Sequence, residues 1–180
     1  MIDISHALSV EGFMEIEEME YLAKTAAKSK TIVEIGSWKG RSACAMAANT
    51  SAPIFCVDTW SGKLENGITE EVESGFLKAF LENTRRYSNV MPICMSSVRA
   101  ADCMYKMGMR FDMIFIDATH TFESCCSDIL AWRPLLTPGG ILCGHDLGHK
   151  DWQGVEQAVD SLIEEYSVVP ETSIWTTEAL

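Results

Sequence analysis

The sequence lacks a hydrophobic run long enough to cross a bilayer, and it is poor in basic residues. Its 180 residues include 14 Lys and Arg against 26 Asp and Glu, which gives a formal net charge of −12. A membrane-spanning helix needs about 20 consecutive apolar residues, and an anionic surface repels the phosphates of nucleic acids and lipids. We therefore expect no nucleic-acid or membrane partner. The first residues also lack a basic start followed by an apolar stretch, so we expect a cytoplasmic protein.

Three sequence patterns that would define other classes of protein are also missing. The seven cysteines form no C-x-x-C pair, which argues against a zinc ribbon or a thioredoxin-type site. Neither the dinucleotide-binding G-x-G-x-x-G nor the P-loop G-x-x-x-x-G-K-[ST] occurs. With 47% hydrophobic and 22% charged residues, the composition predicts one globular domain over 1–180. We divide it into an N-terminal helical segment, 1–30, and a sheet core, 31–180.

What the sequence does contain is a regular alternation of strand and helix patterns. Strands are predicted at 31–35, 54–57, 90–95, 111–116 and 141–143, with two closing strands within 167–178. Helices are predicted at 10–28 (with Phe13 on its buried side), after the first strand, from Thr69, and at 98–107, 121–132 and 155–166. Prolines and glycines predict a turn over 134–140. This order predicts an α/β fold with an open parallel sheet covered by helices on both faces, in which ligands bind beyond the carboxyl ends of the strands.

The end of the first strand carries the pattern E-x-G-x-x-x-G, formed by Glu34, Gly36 and Gly40. A carboxylate beside a glycine turn would repel a phosphate group, so this is not a phosphate-binding turn. It suits a ligand that is cationic or rich in hydroxyl groups. Ser37 could cap the helix that follows.

Polar residues also follow the second and third strands. Asp58 lies 22 positions after Gly36, near the spacing at which an acid binds ribose hydroxyls in dinucleotide-binding folds. Trp60 could stack near an adenine ring or pack in the core. Ser96 and Ser97 could bind the adenine edge through side chain or backbone, or simply cap a helix.

After the fourth and fifth strands come two acids and two imidazoles: Asp117, His120, His145 and Asp146. The carboxyl ends of parallel strands meet at one edge of a sheet, so we expect these side chains to converge. His120 is a candidate general base, because the ordinary pKa of histidine, near 6.5, suits proton removal at neutral pH.

The stretch from Phe111 to His120, the sequence from Pro134 to Gly140, and Gly144-His145-Asp146 resemble one branch of the class I S-adenosylmethionine-dependent methyltransferases. That branch includes macrolide-sugar O-methyltransferases and cephalosporin-pathway relatives. The resemblance implies a Rossmann-like sheet of seven strands with an antiparallel last strand. It also implies that S-adenosylmethionine binds at Glu34, Gly36, Ser37, Gly40, Asp58, Trp60, Ser97 and Asp117.

Several relatives in this branch hold a divalent cation between an acid after the fourth strand and a pair after the fifth. By position, the resemblance assigns Asp117, His145 and Asp146 as ligands of Mg²⁺ or Mn²⁺. His145 stands where those enzymes have an acid or an amide. It could therefore be a general base that works without a metal, and Asp117 could share in moving the proton.

We accordingly expect a methyltransferase that acts on a hydroxyl group of a small molecule, such as a sugar or a secondary metabolite. The sequence does not decide whether the protein forms a homo-oligomer. One alternative is a nicotinamide-dependent oxidoreductase, against which the missing G-x-G-x-x-G counts. Another is a non-catalytic protein that only binds S-adenosylmethionine, because the chain lacks the lid of larger relatives.

Overall fold

The computed structural model describes residues 1–61 and 75–178. Within them, seven strands form one sheet: β1 (Ile32–Ile35), β2 (Ile54–Asp58), β3 (Val90–Cys94), β4 (Phe111–Ile116), β5 (Leu136–Gly144), β6 (Ser167–Val168) and β7 (Trp175–Thr176). Their spatial order is β3-β2-β1-β4-β5-β7-β6. The first five strands in this spatial order pair in parallel, and β7 runs antiparallel to both of its neighbours, β5 and β6. The predicted Rossmann-like sheet with an antiparallel last strand is confirmed.

The described residues also form six α-helices: α1 (Ile16–Ala26), α2 (Arg41–Ala47), α3 (Gly75–Thr84), α4 (Ser97–Lys106), α5 (Phe122–Trp132) and α6 (Gln153–Leu162). Short 3₁₀ turns lie at Ala7–Ser9 and Arg133–Leu135. The predicted helix start at Thr69 lies outside the described residues. Over the described part of the chain, every helix is too short or too polar to pass through a membrane.

The strands are apolar because both faces of the sheet are covered, and successive side chains point to opposite faces. Ile32 and Ile54 pack with α1, α2 and α3 on one face. Val33 and Ile35 pack with α4, α5 and α6 on the other. This double burial fixes the register of each strand, and hence the positions at which the strands end.

The first helix begins later than predicted, at Ile16 rather than near residue 10. Arg41 holds the preceding segment out of the helix, since its guanidinium donates to the carbonyl oxygens of Val10 (2.7 Å) and Met14 (3.1 Å). Phe13 therefore does not lie on a buried helix face. It is 86% exposed and stacks on Trp38 with 5.5 Å between ring centroids.

Two further local predictions are wrong. Ser37 does not cap α2 through its side chain, because Gly40 occupies the N-cap position with a left-handed backbone (φ +87°). The predicted turn over 134–140 is instead mostly the start of β5, where Leu136 pairs with Phe111. The register shifts between Phe111 and Met113. A glycine pair allows such an irregularity within a strand, where ordinary residues would force a break.

Candidate active site

The carboxyl edge of the sheet is marked by backbone strain. Four residues with side chains adopt positive φ within three positions of a strand end: Trp38 (+40°) after β1, Trp60 (+46°) after β2, Asp146 (+62°) after β5 and Glu171 (+63°) after β6. Bulky residues seldom adopt this conformation, and it persists only where surrounding contacts impose it. Such strain is concentrated at functional sites, which makes this edge the first place to look for one.

Gly36 brings the ends of β1 and β4 into direct contact. Its φ is +89°, and a Cβ atom built there would lie 1.9 Å from the carbonyl oxygen of Asp117. Only glycine fits this position. It lies where the strand order reverses between β1 and β4, which is the usual ligand position in an open α/β sheet.

Glu34 lies beneath this turn and is fully buried. Ser42 donates a short hydrogen bond to its Oε1 atom. Its Oε2 atom and the buried hydroxyl of Ser37 have no hydrogen-bond partner among the residues that the structure describes. Burial raises the pKa of Glu34 to about 7. Ser37 and Ser42 oppose this rise but do not outweigh the burial, so Glu34 is an ionisable group enclosed beneath the turn.

Asp58 organises the neighbouring strand end. Its Oδ2 accepts a hydrogen bond from the backbone N–H of Trp38 (2.8 Å), and its Oδ1 accepts one from that of Trp60 (2.7 Å). Each carboxylate oxygen can accept a second hydrogen bond, so a ribose hydroxyl can still bind. Trp60 is only 8% exposed and packs on Phe80 with 5.0 Å between ring centroids. Its ring thus belongs to the core and offers little surface for stacking on adenine.

The hydroxyl of Ser97 is already engaged on both sides. It donates a short hydrogen bond to buried Asp128 and accepts one from Trp132 Nε1 at 2.8 Å. Burial raises the pKa of Asp128 to about 6. The side-chain route from Ser97 to the adenine edge is therefore occupied, and only its backbone stays available.

Beyond β4 and β5, two acids and one imidazole form a compact group. One ligand atom each from Asp117, His120 and Asp146 lies within 4.8 Å of the others. His120 Nε2 is 3.0 Å from Asp146 Oδ2 and 3.7 Å from Asp117 Oδ1. The ring of His120 also packs against Trp152, with centroids 4.6 Å apart. We call these three residues the acid–imidazole group.

His145 occupies a different place from the one predicted for a metal ligand. Its Nε2 pairs with Glu18 Oε2 at 2.8 Å, and its Nδ1 lies 3.3 Å from Asp146 Oδ1 and 3.8 Å from Asp117 Oδ1. Its side chain is 10% exposed. Both ring nitrogens of His145 thus face carboxylates, and the group whose ligand atoms lie together contains His120 rather than His145.

The carboxylates keep both histidines charged. Burial alone would lower the pKa of His120, but Asp117 and Asp146 outweigh it and raise that pKa to about 10. Burial likewise opposes the charge of His145, whereas Asp146 and Glu18 raise its pKa to about 11. In return, His145 outweighs the effect of burial on Glu18 and lowers its pKa to about 2. Neither imidazole is therefore a ready proton acceptor at neutral pH.

The group fits a divalent cation by its donor chemistry. Two carboxylates supply the oxygen ligands that Mg²⁺ and Mn²⁺ prefer, and the imidazole is acceptable to Mn²⁺ once it has lost its proton. The carboxylates now facing imidazolium charge would then face the cation instead.

Two residues beside this site, Glu18 and Ser173, were not predicted from the sequence. Glu18 shares a buried helix face with Leu22 and Thr25, and this i, i+4, i+7 spacing could have marked an acid on an apolar face. Ser173 precedes β7 in a segment without a pattern, and nothing in the sequence distinguishes it.

The strand order, the glycine turn between β1 and β4, and the acids around it define a class I methyltransferase fold. A family model for a methyltransferase domain matches residues 33–147, more than half of the chain. The chain belongs to this family and is an S-adenosylmethionine-dependent methyltransferase. The nicotinamide alternative is thereby set aside. No curated protein matches the sequence.

Solved structures show the same fold at low sequence identity. CalS11, a TDP-rhamnose 3′-O-methyltransferase of calicheamicin biosynthesis, has a TM-score of 0.67 and 17% identity, covering 88% of this chain and 75% of its own. An O-methyltransferase from Bacillus cereus, solved with S-adenosylhomocysteine (SAH), has a TM-score of 0.68 and 15% identity, covering 94% of this chain and 84% of its own. The SAH-bound methyltransferase PaMTH1 from Podospora anserina has a TM-score of 0.66 and 19% identity, covering 91% of this chain and 78% of its own.

Proposed function

We propose that this enzyme methylates a hydroxyl group of a small molecule with the help of a divalent cation. The observation that carries the proposal is the position of the acid–imidazole group beside the Gly36 turn. The backbone of Asp117 contacts Gly36, where we expect the methyl donor to bind. The printed names of CalS11 and of the Bacillus cereus protein, both O-methyltransferases, favour oxygen as the acceptor atom.

The β1–β2 end of the site is suited to the methyl donor. S-adenosylmethionine supplies a methyl group that is activated by a positively charged sulfur. Gly36 lets the end of β1 lie directly against the backbone of Asp117, and the carboxyl group of Glu34 is buried beneath that turn. Asp58 is positioned by two backbone N–H groups and can accept ribose hydroxyls.

Asp117, His120 and Asp146 would hold the cation, with His120 in the role first assigned to His145. A bound divalent cation lowers the pKa of a coordinated hydroxyl and orients its oxygen. His120 must lose its proton to bind as a ligand, so uptake of the metal releases a proton. Neighbouring carboxylates currently stabilise that proton.

The acceptor proton most readily passes to Asp117. Its side chain is 24% exposed, compared with 14% for Asp146 and 5% for Glu18. His145 is unsuited to the task, because Glu18 and Asp146 hold it in the charged form. Asp117 would then accept a hydrogen bond from the acceptor hydroxyl and take its proton, while the methyl group passes from sulfur to that oxygen and S-adenosylhomocysteine is released.

The test is methyl transfer from labelled S-adenosylmethionine to a panel of sugars and vicinal diols, with Mn²⁺, with Mg²⁺ or with EDTA. We expect a methyl ether and SAH with the metal present, and loss of product with EDTA or in Asp117→Asn. Asp112→Asn, at the opposite end of β4, should keep its activity. Transfer that is equally fast in EDTA would contradict the role of the cation, and methylation at nitrogen or carbon would contradict the acceptor.

A further inference from the structure

The loop after β5 follows a strained path at Asp146. This residue has φ +62°, a left-handed conformation that side-chain residues adopt only under restraint. Its carboxylate belongs to the acid–imidazole group. Whatever restrains this backbone therefore also decides where the carboxylate points.

Ser173 supplies a direct restraint on this loop. Its hydroxyl accepts a hydrogen bond from the backbone N–H of Asp146 (3.4 Å), and its carbonyl oxygen accepts one from that of Leu147 (3.0 Å). Ser173 is itself held by Glu18, whose Oε1 accepts from its backbone N–H at 3.1 Å and from its hydroxyl at 2.9 Å. The backbone of Asp146 is thus tied to α1.

Glu18 reaches the same residue by a second route. Its Oε2 pairs with His145 Nε2 at 2.8 Å, and His145 Nδ1 lies 3.3 Å from Asp146 Oδ1. One buried carboxylate therefore restrains both the backbone and the side chain of Asp146. Glu18 is almost fully buried, so its influence passes through these neighbours.

We infer that Glu18 and Ser173 are positioning residues that hold Asp146 in its strained conformation, so that its carboxylate meets His120 and Asp117. The inference depends on the proposed function in one respect, namely that a divalent cation binds to the acid–imidazole group. The conformation of Asp146 can be tested without it.

Two variants separate the two routes. Glu18→Gln keeps the size of the side chain but removes the charge that pairs with His145, which weakens both restraints. Ser173→Ala removes the hydroxyl link and leaves the imidazole link, so we expect a smaller effect. The matched control is Asp112→Asn. Asp112 also joins distant segments, accepting from the backbone of Lys30 and Thr31 and from the hydroxyl of Thr137, but it lies at the start of β4, away from the site.

The first measurement is the crystal structure of metal-free Glu18→Gln beside that of the wild type. We expect Asp146 to leave the left-handed region or to lose its 3.0 Å contact with His120. An Asp146 that keeps both would overturn the inference, whether or not the enzyme proves to be an O-methyltransferase. Should Glu18→Gln fail to fold, Ser173→Ala decides by the same criterion.

The second measurement is calorimetric titration with Mn²⁺ alone and with SAH alone. Losing a group that orients a metal ligand typically costs 10–100-fold in metal affinity, so we expect about a 10-fold or larger loss for Glu18→Gln with unchanged SAH affinity. A purely structural role would weaken both ligands together or neither, and would overturn the inference. The two hypotheses can also fail separately. If the wild type transfers no methyl group but Glu18→Gln still binds Mn²⁺ more weakly than the wild type, the inference about Glu18 is supported and the proposed function is refuted.

Discussion

The two halves of the carboxyl edge are built by different forces. The half at β1 and β2 is held by one carboxylate, Asp58, which accepts hydrogen bonds from the backbone N–H groups of Trp38 and Trp60, 20 and 2 positions away in sequence. The half at β4 and β5 is held by ionised side chains, two of its supports coming from α1 and from the segment before β7. The half at β1 and β2 thus fixes the backbone of the loops, whereas the half at β4 and β5 brings several ionisable side chains together.

The difference in charge explains why the second half suits a cation. Glu18, Asp117 and Asp146 carry three negative charges against at most two positive charges on His120 and His145. The cluster is therefore anionic even when both imidazoles are protonated. In a poorly solvated site such an excess favours binding of positive charge.

Gly36→Ala should have the largest effect, because it breaks the point where the two halves touch. The new Cβ would lie 1.9 Å from the Asp117 carbonyl oxygen, and we expect a loss of about 3 kcal/mol or more in the free energy of unfolding, with loss of SAH binding. Gly108→Ala is the control. Gly108 has a similar φ of +73° but open space around it, so about 1 kcal/mol should be lost. Equal losses in urea unfolding would contradict the close contact.

Asp146→Asn should separate the two halves functionally. Removing one charged ligand should weaken Mn²⁺ binding by about 100-fold or more, since even supporting groups cost 10–100-fold, and should leave SAH affinity unchanged. Asp102→Asn, an exposed acid paired with Lys106, should alter neither. Calorimetry with each ligand checks this, and parallel losses of both affinities would show that the halves are not independent.

Asp58→Ala is the converse experiment. We expect SAH binding to weaken by about 1–3 kcal/mol, as for the loss of charged hydrogen bonds, while Mn²⁺ affinity stays the same. Calorimetric affinity for SAH that matches the wild type would remove Asp58 from the donor site.

The pH dependence of stability tests the ionic half in metal-free protein. The pKa of His145 is raised from 6.5 to about 11, so its stabilising effect is complete below pH 6.5 and is lost as the pH rises toward 11. The pKa of Glu18 is lowered from 4.5 to about 2, so its effect is present above pH 4.5 and is lost as the pH falls toward 2. The pKa of His120 is raised from 6.5 to about 10, so its effect is lost over the same range as that of His145. Urea unfolding with a chelator should show a maximum near pH 4.5–6.5 and a fall of about 2–4 kcal/mol between pH 6.5 and 8 for the two histidines together. Glu18→Gln should make the loss of stability below pH 4.5 shallower, because the titration of Glu18 is removed, and an acid-side loss as steep as that of the wild type would contradict the ion pair.

The same contrast explains how much the sequence could predict. The strand pattern, the Gly36 turn and Asp58 follow from local periodicity and spacing, and the sheet they predict is the one observed. The partners of His120 and His145 could not be predicted this way, because they depend on Glu18 reaching His145 across 127 positions of sequence. Ser97 and Trp60 lie near the predicted places, but tertiary contacts with Asp128 and Phe80 occupy their side chains.

The most direct test of the two-part site is a crystal structure with SAH and Mn²⁺ together, recorded with anomalous scattering from manganese. The account predicts SAH over the Gly36 turn with its ribose at Asp58, and one manganese peak within bonding distance of Asp117, His120 and Asp146. A peak bound through His145 instead, or SAH seated away from Gly36, would contradict it.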